Sequence, residues 1–412
     1  MERLRFGICG LGFAGSVLMA PAMKQHPKAA IVAACDPNPE TRAAFGKDYG
    51  IPTYENLAAM LDGTELDAVY VASPHQYHCE HVVLAAERGK HIIVEKPLTL
   101  NDEDARKMVE AAARCRVQLV VGTSRSHDPV VKTMRDIVQS GEVGRLAMIN
   151  AWNYTDYLYR PRRPEELDTA QGGGILFSQL PHQLDMIKVI ADATIVSVRA
   201  AAGQLDARRP TEGHCAAFVT LSNGVFATLV YSGYDHFDSD ELQFWIAESG
   251  RPKQPKHGNS RKLLAGLSAE QEAALKTQRL GYGGPVAQSY AATEDSRKQP
   301  HFGIFIATCE RGDLRPNPDG VTIYGNDGPR DVPAHAGRGA YGQGDTIDEL
   351  YDAIAGAQPA LRDAAFGRNT VLASLAILES SKTGREISIP RRTSPARRPD
   401  DSRAPFIAPT QG

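Results

Sequence analysis

In the first third of the chain, short runs that are apolar at every position alternate with stretches of helical spacing. Leu4, Phe6 and Ile8 alternate with Arg5 and Gly7 and run into a glycine-rich turn. Ile31-Val32-Ala33-Ala34-Cys35, Ala68-Val69-Tyr70-Val71-Ala72, His91-Ile92-Ile93-Val94 and Val117-Gln118-Leu119-Val120-Val121 follow. Runs of this kind suit strands buried on both faces of a parallel sheet. Between them lie helix-like sets: Val17, Leu18, Met19 and Met23, then Val82, Val83, Leu84 and Ala86, then Ala105, Met108, Val109 and Ala112 behind an N-cap at Asn101 or Asp102. The alternation predicts an α/β protein with an N-terminal Rossmann doubly wound parallel sheet over residues 1–123.

From Leu146 the period changes. Met148–Asn153, Ile195–Ala200, Cys215–Leu221 and Gly224–Tyr231 read as strands, with Ser222-Asn223-Gly224 as a hairpin turn and one helix from Leu180 to Ile190. This predicts a C-terminal α+β domain over 124–390 with an open, mostly antiparallel sheet. Residues 251–300 are polar and broken by Pro252, Pro255 and Gly281-Tyr282-Gly283-Gly284-Pro285; they read as an insertion with a short helix near Ala269–Lys276. Residues 391–412, rich in Arg, Pro, Ser and Asp, read as a disordered tail.

A length of 412 residues agrees with two domains. The net charge of −3 gives no reason to expect nucleic acid or a membrane surface as partner. No apolar run is long enough to span a bilayer, and the first strand begins too early to leave room for a signal peptide. Six scattered cysteines read as reduced thiols of a cytoplasmic protein. No metal is expected: Cys79 with His75, His78 and His81 is explained more simply by an amphipathic helix.

The turn Gly10-Leu11-Gly12-Phe13-Ala14-Gly15 joins a strand to a helix. Gly10 permits the sharp turn, Gly12 lets a pyrophosphate approach the main chain, Gly15 permits close helix packing, and the helix start offers N–H groups to phosphate. Asp36 ends the next strand, about 20 residues on, where a carboxylate binds the adenosine ribose and repels a 2′-phosphate. NAD is therefore expected rather than NADP, although nearby Arg42 could pair with a phosphate. Asp36 could also be a helix N-cap before Pro37. Ser73, Pro74, His75 and Glu95-Lys96-Pro97 lie at strand C-termini, the ligand side of such a sheet. The sequence leaves open whether Pro97 follows a cis bond.

Taken together, the glycine turn, Glu95-Lys96-Pro97 and Gly172-Gly173-Gly174-Ile175-Leu176 ahead of His182 resemble the Gfo/Idh/MocA oxidoreductases, over nearly the whole chain up to about Pro390. The resemblance implies an NAD(P)-dependent dehydrogenase with Lys96 and His182 as catalytic residues. The cofactor would be held by Gly10, Gly12, Phe13, Ala14, Gly15, Asp36, Ser73, Pro74, His75, Glu95 and Lys96. Of the family's Gly-Gly-Gly-x-Leu-x-Asp-x-Gly-x-His-x-x-Asp, this chain keeps His182 and Asp185 but has Ser178 and Leu180 for the middle Asp and Gly. A serine cannot carry the charge that sugar-oxidising members use, which argues against polyol chemistry.

The segment 153–164 is similar to members that oxidise a phthalate cis-dihydrodiol to its catechol. Arg160, Arg162 and Arg163 could hold carboxylates, with Tyr154 and Tyr157 beside the ring and Arg125 and Ser178 nearer the nicotinamide. The expected partner is then an anionic cyclic diol, and the protein a homo-oligomer. The alternative for the arginines is a solvated loop balanced by Glu165 and Glu166. Two other functions stay open: a sugar or cyclitol dehydrogenase, and a catalytically silent cofactor sensor.

Overall fold

A computed structural model describes residues 2–122, 124–285, 297–337 and 342–390. The expected domain boundary at Thr123, part of the insertion (286–296) and the tail 391–412 lie outside the described residues.

The first sheet holds β1 (Leu4–Cys9), β2 (Ala29–Cys35), β3 (Thr53–Tyr54), β4 (Ala68–Val71), β5 (His91–Val94) and β6 (Leu119–Val121), all parallel, in the order β3-β2-β1-β4-β5-β6. The order reverses between β1 and β4, and a crevice opens at the strand C-termini there. Both faces are apolar, as the runs predict: Phe6, Ile8, Tyr70 and Ile93 pack on one side, Val69, Val71, Ile92 and Val94 on the other.

The second sheet holds nine strands: β7 (Leu146–Tyr154), β8 (Ile195–Gly203), β9 (His214–Leu221), β10 (Phe226–Ser232), β11 (Ile304–Cys309), β12 (Gly312–Asn317), β13 (Gly320–Gly325), β14 (Gly328–Pro333) and β15 (Ile387–Ser388). Their order is β14-β13-β12-β11-β7-β10-β9-β8-β15, and every pair is antiparallel except β7 with β10. The expected hairpin at Ser222–Gly224 joins β9 to β10. One face packs on helices Leu180–Ala191 and Ala364–Thr383; the other is open and exposes Trp152, Phe218 and Tyr324.

The segment after Gly342 returns to the first sheet. Ile347 and Leu350 of helix Gln343–Ile354 join the core around Phe6, and Ala364 and Val371 join the core around Val94. Asp363 bridges to Val120. The insertion is more ordered than the sequence suggests. It contains helices Asn259–Leu264 and Ala269–Leu280, the latter longer than expected and closed by a capping box at Ser268 and Gln271.

Lys188 fastens helix Leu180–Ala191 to helix Ala364–Thr383. Its Nζ lies 2.9 Å from the Phe366 carbonyl and 3.2 Å from Asp185, and it contacts Thr370, whose hydroxyl donates to Asp185 at 2.5 Å. Burial lowers the Lys188 amine to about 8, against the pull of Asp185. Removing one partner strands a buried polar group, so Asp185→Ala should cost about 3 kcal/mol. In urea titrations of Asp185→Ala, Lys188→Met and the double variant, the double loss should fall short of the sum by at least about 1 kcal/mol. Additive losses would show the pair uncoupled.

Candidate active site

The glycine turn has the three properties its sequence predicts. Gly10 sits at φ +100°, and a Cβ there would stand 2.7 Å from the Ala72 carbonyl. A Cβ on Gly15 would stand 2.0 Å from the Gly10 carbonyl, so only glycine fits. At Gly12 no protein atom lies within 4 Å of that position, which leaves the main chain approachable by a pyrophosphate. The helix behind the turn begins as a widened coil, Phe13–Met19, before the regular turns of Ala20–Gln25.

Asp36 stands beside this turn. Its carboxylate accepts the Leu11 N–H at 2.8 Å and the Asn38 N–H at 2.9 Å. It is not the helix N-cap; Asn38 is, accepting from Glu40 and Thr41 ahead of helix Pro39–Tyr49. Arg42 donates to the Asp36 and Pro37 carbonyls, which places its guanidinium in the same turn. Together these residues fit an NAD adenosine half.

A cleft of about 600 Å³ opens next to the turn. Phe13, Ala14, His75, Glu95 and Lys96 line it from the first half of the chain, and Arg125, Tyr157, Arg160, Arg162, Ser178 and His182 from the second. Ser73 and Pro74 do not line the cleft; the Ser73 and Pro97 carbonyls face opposite nitrogens of His78 (2.8 and 3.0 Å), which ties the loop after β4 to the loop after β5. The Lys96–Pro97 bond is cis. His81 reaches the Ser73 hydroxyl and Cys79 the Asp104 carbonyl, and among the described residues no cluster of three or more ligand types is placed for a metal ion.

Lys96 Nζ donates to the Ser178 carbonyl at 3.2 Å, across the two halves. Burial lowers its pKa; Glu95 partly restores it, while Arg162 and Arg125 lower it further. Glu95 itself is fixed by the Tyr70 hydroxyl at 2.6 Å. The His182 pKa falls well below its usual value, first by burial and then through Lys96 and Arg125. His182 Nδ1 faces the Arg125 backbone N–H at 3.3 Å, so in the neutral ring the proton is on Nε2. Asp185 does not satisfy His182; it is committed to Lys188 and Thr370. The Ser178 hydroxyl turns back to the Gly172 carbonyl.

The arginines divide. Arg160 is 2.7 Å from Asp156 and 3.2 Å from Glu248. Arg162 stacks 3.8 Å above the Tyr157 ring, donates to the Tyr157 carbonyl and lies 3.5 Å from Glu166. Arg163 is exposed and Tyr154 packs edge-on against Phe237; neither lines the cleft, contrary to expectation. Of the two acids expected to balance the arginines, Glu166 does so and Glu165 does not. Arg125 is 3.5 Å from Asp128, whose carboxyl burial pushes up to about 7. Asp128 is thus a weaker counter-ion near neutrality than Glu248, whose pKa burial would raise but Arg160 and Arg125 lower.

Sequence reasoning missed Gln179, Glu248, Lys253 and Phe302, all on the cleft wall. Gln179 follows Ser178 directly and accepts from the Tyr231 hydroxyl at 3.2 Å. Phe302 meets the His182 ring edge-on at 5.0 Å. Lys253 pairs with Asp238 and with Asp240.

Residues 4–123 match the model described as the oxidoreductase family, NAD-binding Rossmann fold, and residues 131–248 match the GFO/IDH/MocA C-terminal domain. A curated relative, 1-carboxy-3-chloro-3,4-dihydroxycyclohexa-1,5-diene dehydrogenase of Comamonas testosteroni, is 34% identical over 92% of this chain and 95% of its own length. The chain belongs to the Gfo/Idh/MocA oxidoreductase family. Like other members it has an NAD-binding Rossmann half. An inositol 2-dehydrogenase of Rhizobium meliloti is 28% identical over 49% of this chain and 59% of its own. A solved structure from Bordetella bronchiseptica RB50, described provisionally as a dehydrogenase, is 61% identical, covers 94% of this chain and all of that one, and superposes with a TM-score of 0.90.

Asp36→Ser should weaken NADH binding and narrow the preference for NAD over NADP by at least about tenfold, because the carboxylate that repels a 2′-phosphate is gone while Arg42 remains. NADH and NADPH fluorescence titrations measure this. An unchanged preference would move the discrimination elsewhere.

Proposed function

We propose that this protein oxidises a cis-dihydrodiol on a carboxylated cyclohexadiene ring to the catechol, with NAD as hydride acceptor. Phthalate 4,5-cis-dihydrodiol is the dicarboxylate of that class. The observation that carries the reading is the placement of Lys96 and His182 in one cleft with Arg125, Arg160 and Arg162. Bound NAD supplies the hydride acceptor. Lys96, drawn toward its neutral form by burial, takes the hydroxyl proton while keeping its donation to Ser178. His182 donates from Nε2 to the same substrate oxygen. Arg125 holds a ring carboxylate, and the Tyr157 ring lies beside the diene. The ketone first formed tautomerises to an aromatic ring, which pulls the reaction toward oxidation. The Comamonas relative supports this reading, since its name describes a diol on a ring with one carboxyl group.

Sugar or cyclitol oxidation is the second reading, favoured by the inositol dehydrogenase relative. Ser178 counts against it, because its hydroxyl is spent on Gly172 and carries no charge. As part of the proposal, residues 1–123 bind cofactor and 124–390 bind substrate, and two copies pair through the open sheet face that exposes Trp152 and Phe218.

NADH formation from phthalate dihydrodiol, a monocarboxylate dihydrodiol, inositol and glucose tests the substrate class; turnover of inositol alone would overturn it. Lys96→Ala should lower kcat by about 10²–10⁴-fold with NADH affinity kept. Arg125→Gln should raise KM for carboxylated diols by about 10–100-fold and leave neutral diols nearly unchanged.

The reactive form of Lys96 is the neutral amine, so kcat/KM should rise with pH through a pKa below that of free lysine. Glu95→Gln removes a charge that favours the ammonium and should move this limb to lower pH. Arg162→Gln removes a charge that opposes it and should move the limb to higher pH. If neither variant moves the limb, Lys96 is not the group that titrates.

A further inference from the structure

A second cavity, of about 370 Å³, lies behind Arg162 and is separate from the catalytic cleft. Four arginines reach its wall, Arg162, Arg208, Arg209 and Arg261. Three of them have carboxylate partners: Arg162 meets Glu166 at 3.5 Å, Arg208 meets Asp206 at 3.3 Å, and Arg209 meets Glu272 at 2.8 Å. The Arg261 side chain has none within 4 Å among the described residues. Its guanidinium lies 4.2 Å from the centre of the Tyr159 ring and donates to the Tyr234 carbonyl at 3.1 Å. Arg209 sits on the same ring at 5.3 Å, so two cations are gathered on one aromatic floor.

Glu272 also lines the wall but is committed to Arg209, and the remaining lining is mostly apolar, with Pro164, Pro210, Leu264 and Leu267. An uncompensated guanidinium at the end of an apolar slot selects a ligand with a carboxylate at one end and a flat apolar body at the other. We propose that this cavity is a second anion site that takes a one-ring aromatic carboxylate on Arg261, with its ring against Pro164, Pro210 and Leu267. The site stands whichever diol the catalytic cleft oxidises, because none of its carboxylate-binding groups belongs to that cleft; Arg162 alone is shared by both walls.

Calorimetric titration of the full-length protein with benzoate tests the assignment. Arg261→Gln removes the cation and Leu267→Trp fills the slot while keeping it; each should weaken benzoate binding by about tenfold or more, the first through the loss of one charge-assisted hydrogen bond and the second by excluding the ring. Neither residue lines the catalytic cleft, so NADH affinity should be unchanged, which also reports that the variants fold. Arg125→Gln, in the catalytic cleft, should leave this binding intact. Inorganic phosphate, which has the charge without the ring, should bind at least about tenfold more weakly than benzoate. The proposal is overturned if benzoate does not bind the wild type, if binding survives both Arg261→Gln and Leu267→Trp, if only Arg125→Gln removes it, or if phosphate binds as well as benzoate.

Discussion

The amine of Lys96, buried against the Ser178 carbonyl, is the contact on which the rest of the cleft depends. It joins the end of β5 to the helical turn Gly174–Ser178 and closes the seam between the two sheets. Burying an ammonium costs several kcal/mol unless its charge is compensated or shed. Compensation here is partial, through Glu95, which the Tyr70 hydroxyl holds in place from inside the first sheet. The remaining cost appears as a lowered pKa. The surroundings are built to keep this geometry: His78 bridges the Ser73 and Pro97 carbonyls, and Lys188 with Asp185 and Thr370 pins the helix that carries His182.

Pairing of charges, more than their number, decides what the cleft can bind. Arg160 and Arg162 already have carboxylates, so an incoming anion would exchange one charge-assisted hydrogen bond for another of similar strength, about 1.5–3 kcal/mol each way. Such an exchange yields little net affinity. Arg125 has a different neighbour: Asp128, whose carboxyl burial pushes up to about 7, with Glu248 also within its electrostatic reach. The proposed carboxylate anchor is thus also the residue whose backbone N–H faces His182 Nδ1.

The parallel sheet was legible because burial on both faces leaves unbroken apolar runs, and the glycine turn because each glycine answers a steric demand. Lys96 stood out through its place at a strand end beside Pro97, and His182 through the resemblance of 172–185 to the family motif. Other features were hidden for physical reasons. Tyr154 follows buried Asn153 in β7, and the two-residue period of a strand sends it to the opposite face. Strands β12 and β14 contain Gly, Pro, Asp and Arg and pair near a sheet edge, so they lack alternation. Glu248, Lys253 and Phe302 come from turns and a strand start far along the chain, and only the tertiary return of 245–305 brings them to His182. Helix Gln343–Ile354 completes the first sheet from the C-terminal end of the chain, a placement that no local pattern encodes.

The exchange of an aspartate for Ser178 gains meaning from these electrostatics. A carboxylate there would stand beside Lys96 and His182 and raise both pKa values. Its absence leaves Lys96 closer to the neutral form a base requires. It also leaves Glu95 and, more weakly, Asp185 as the protein anions that act on an ammonium at Lys96. A carboxylated substrate supplies negative charge to the cleft, whereas a neutral polyol does not. With NAD bound as hydride acceptor, an ammonium formed at Lys96 would offset the positive charge given up by the cofactor, and the cleft would keep its total charge. A neutral lysine, a proton-donating histidine and an anionic ring are thus mutually consistent, while the same lysine facing an uncharged sugar would lack the charge that the family aspartate provides.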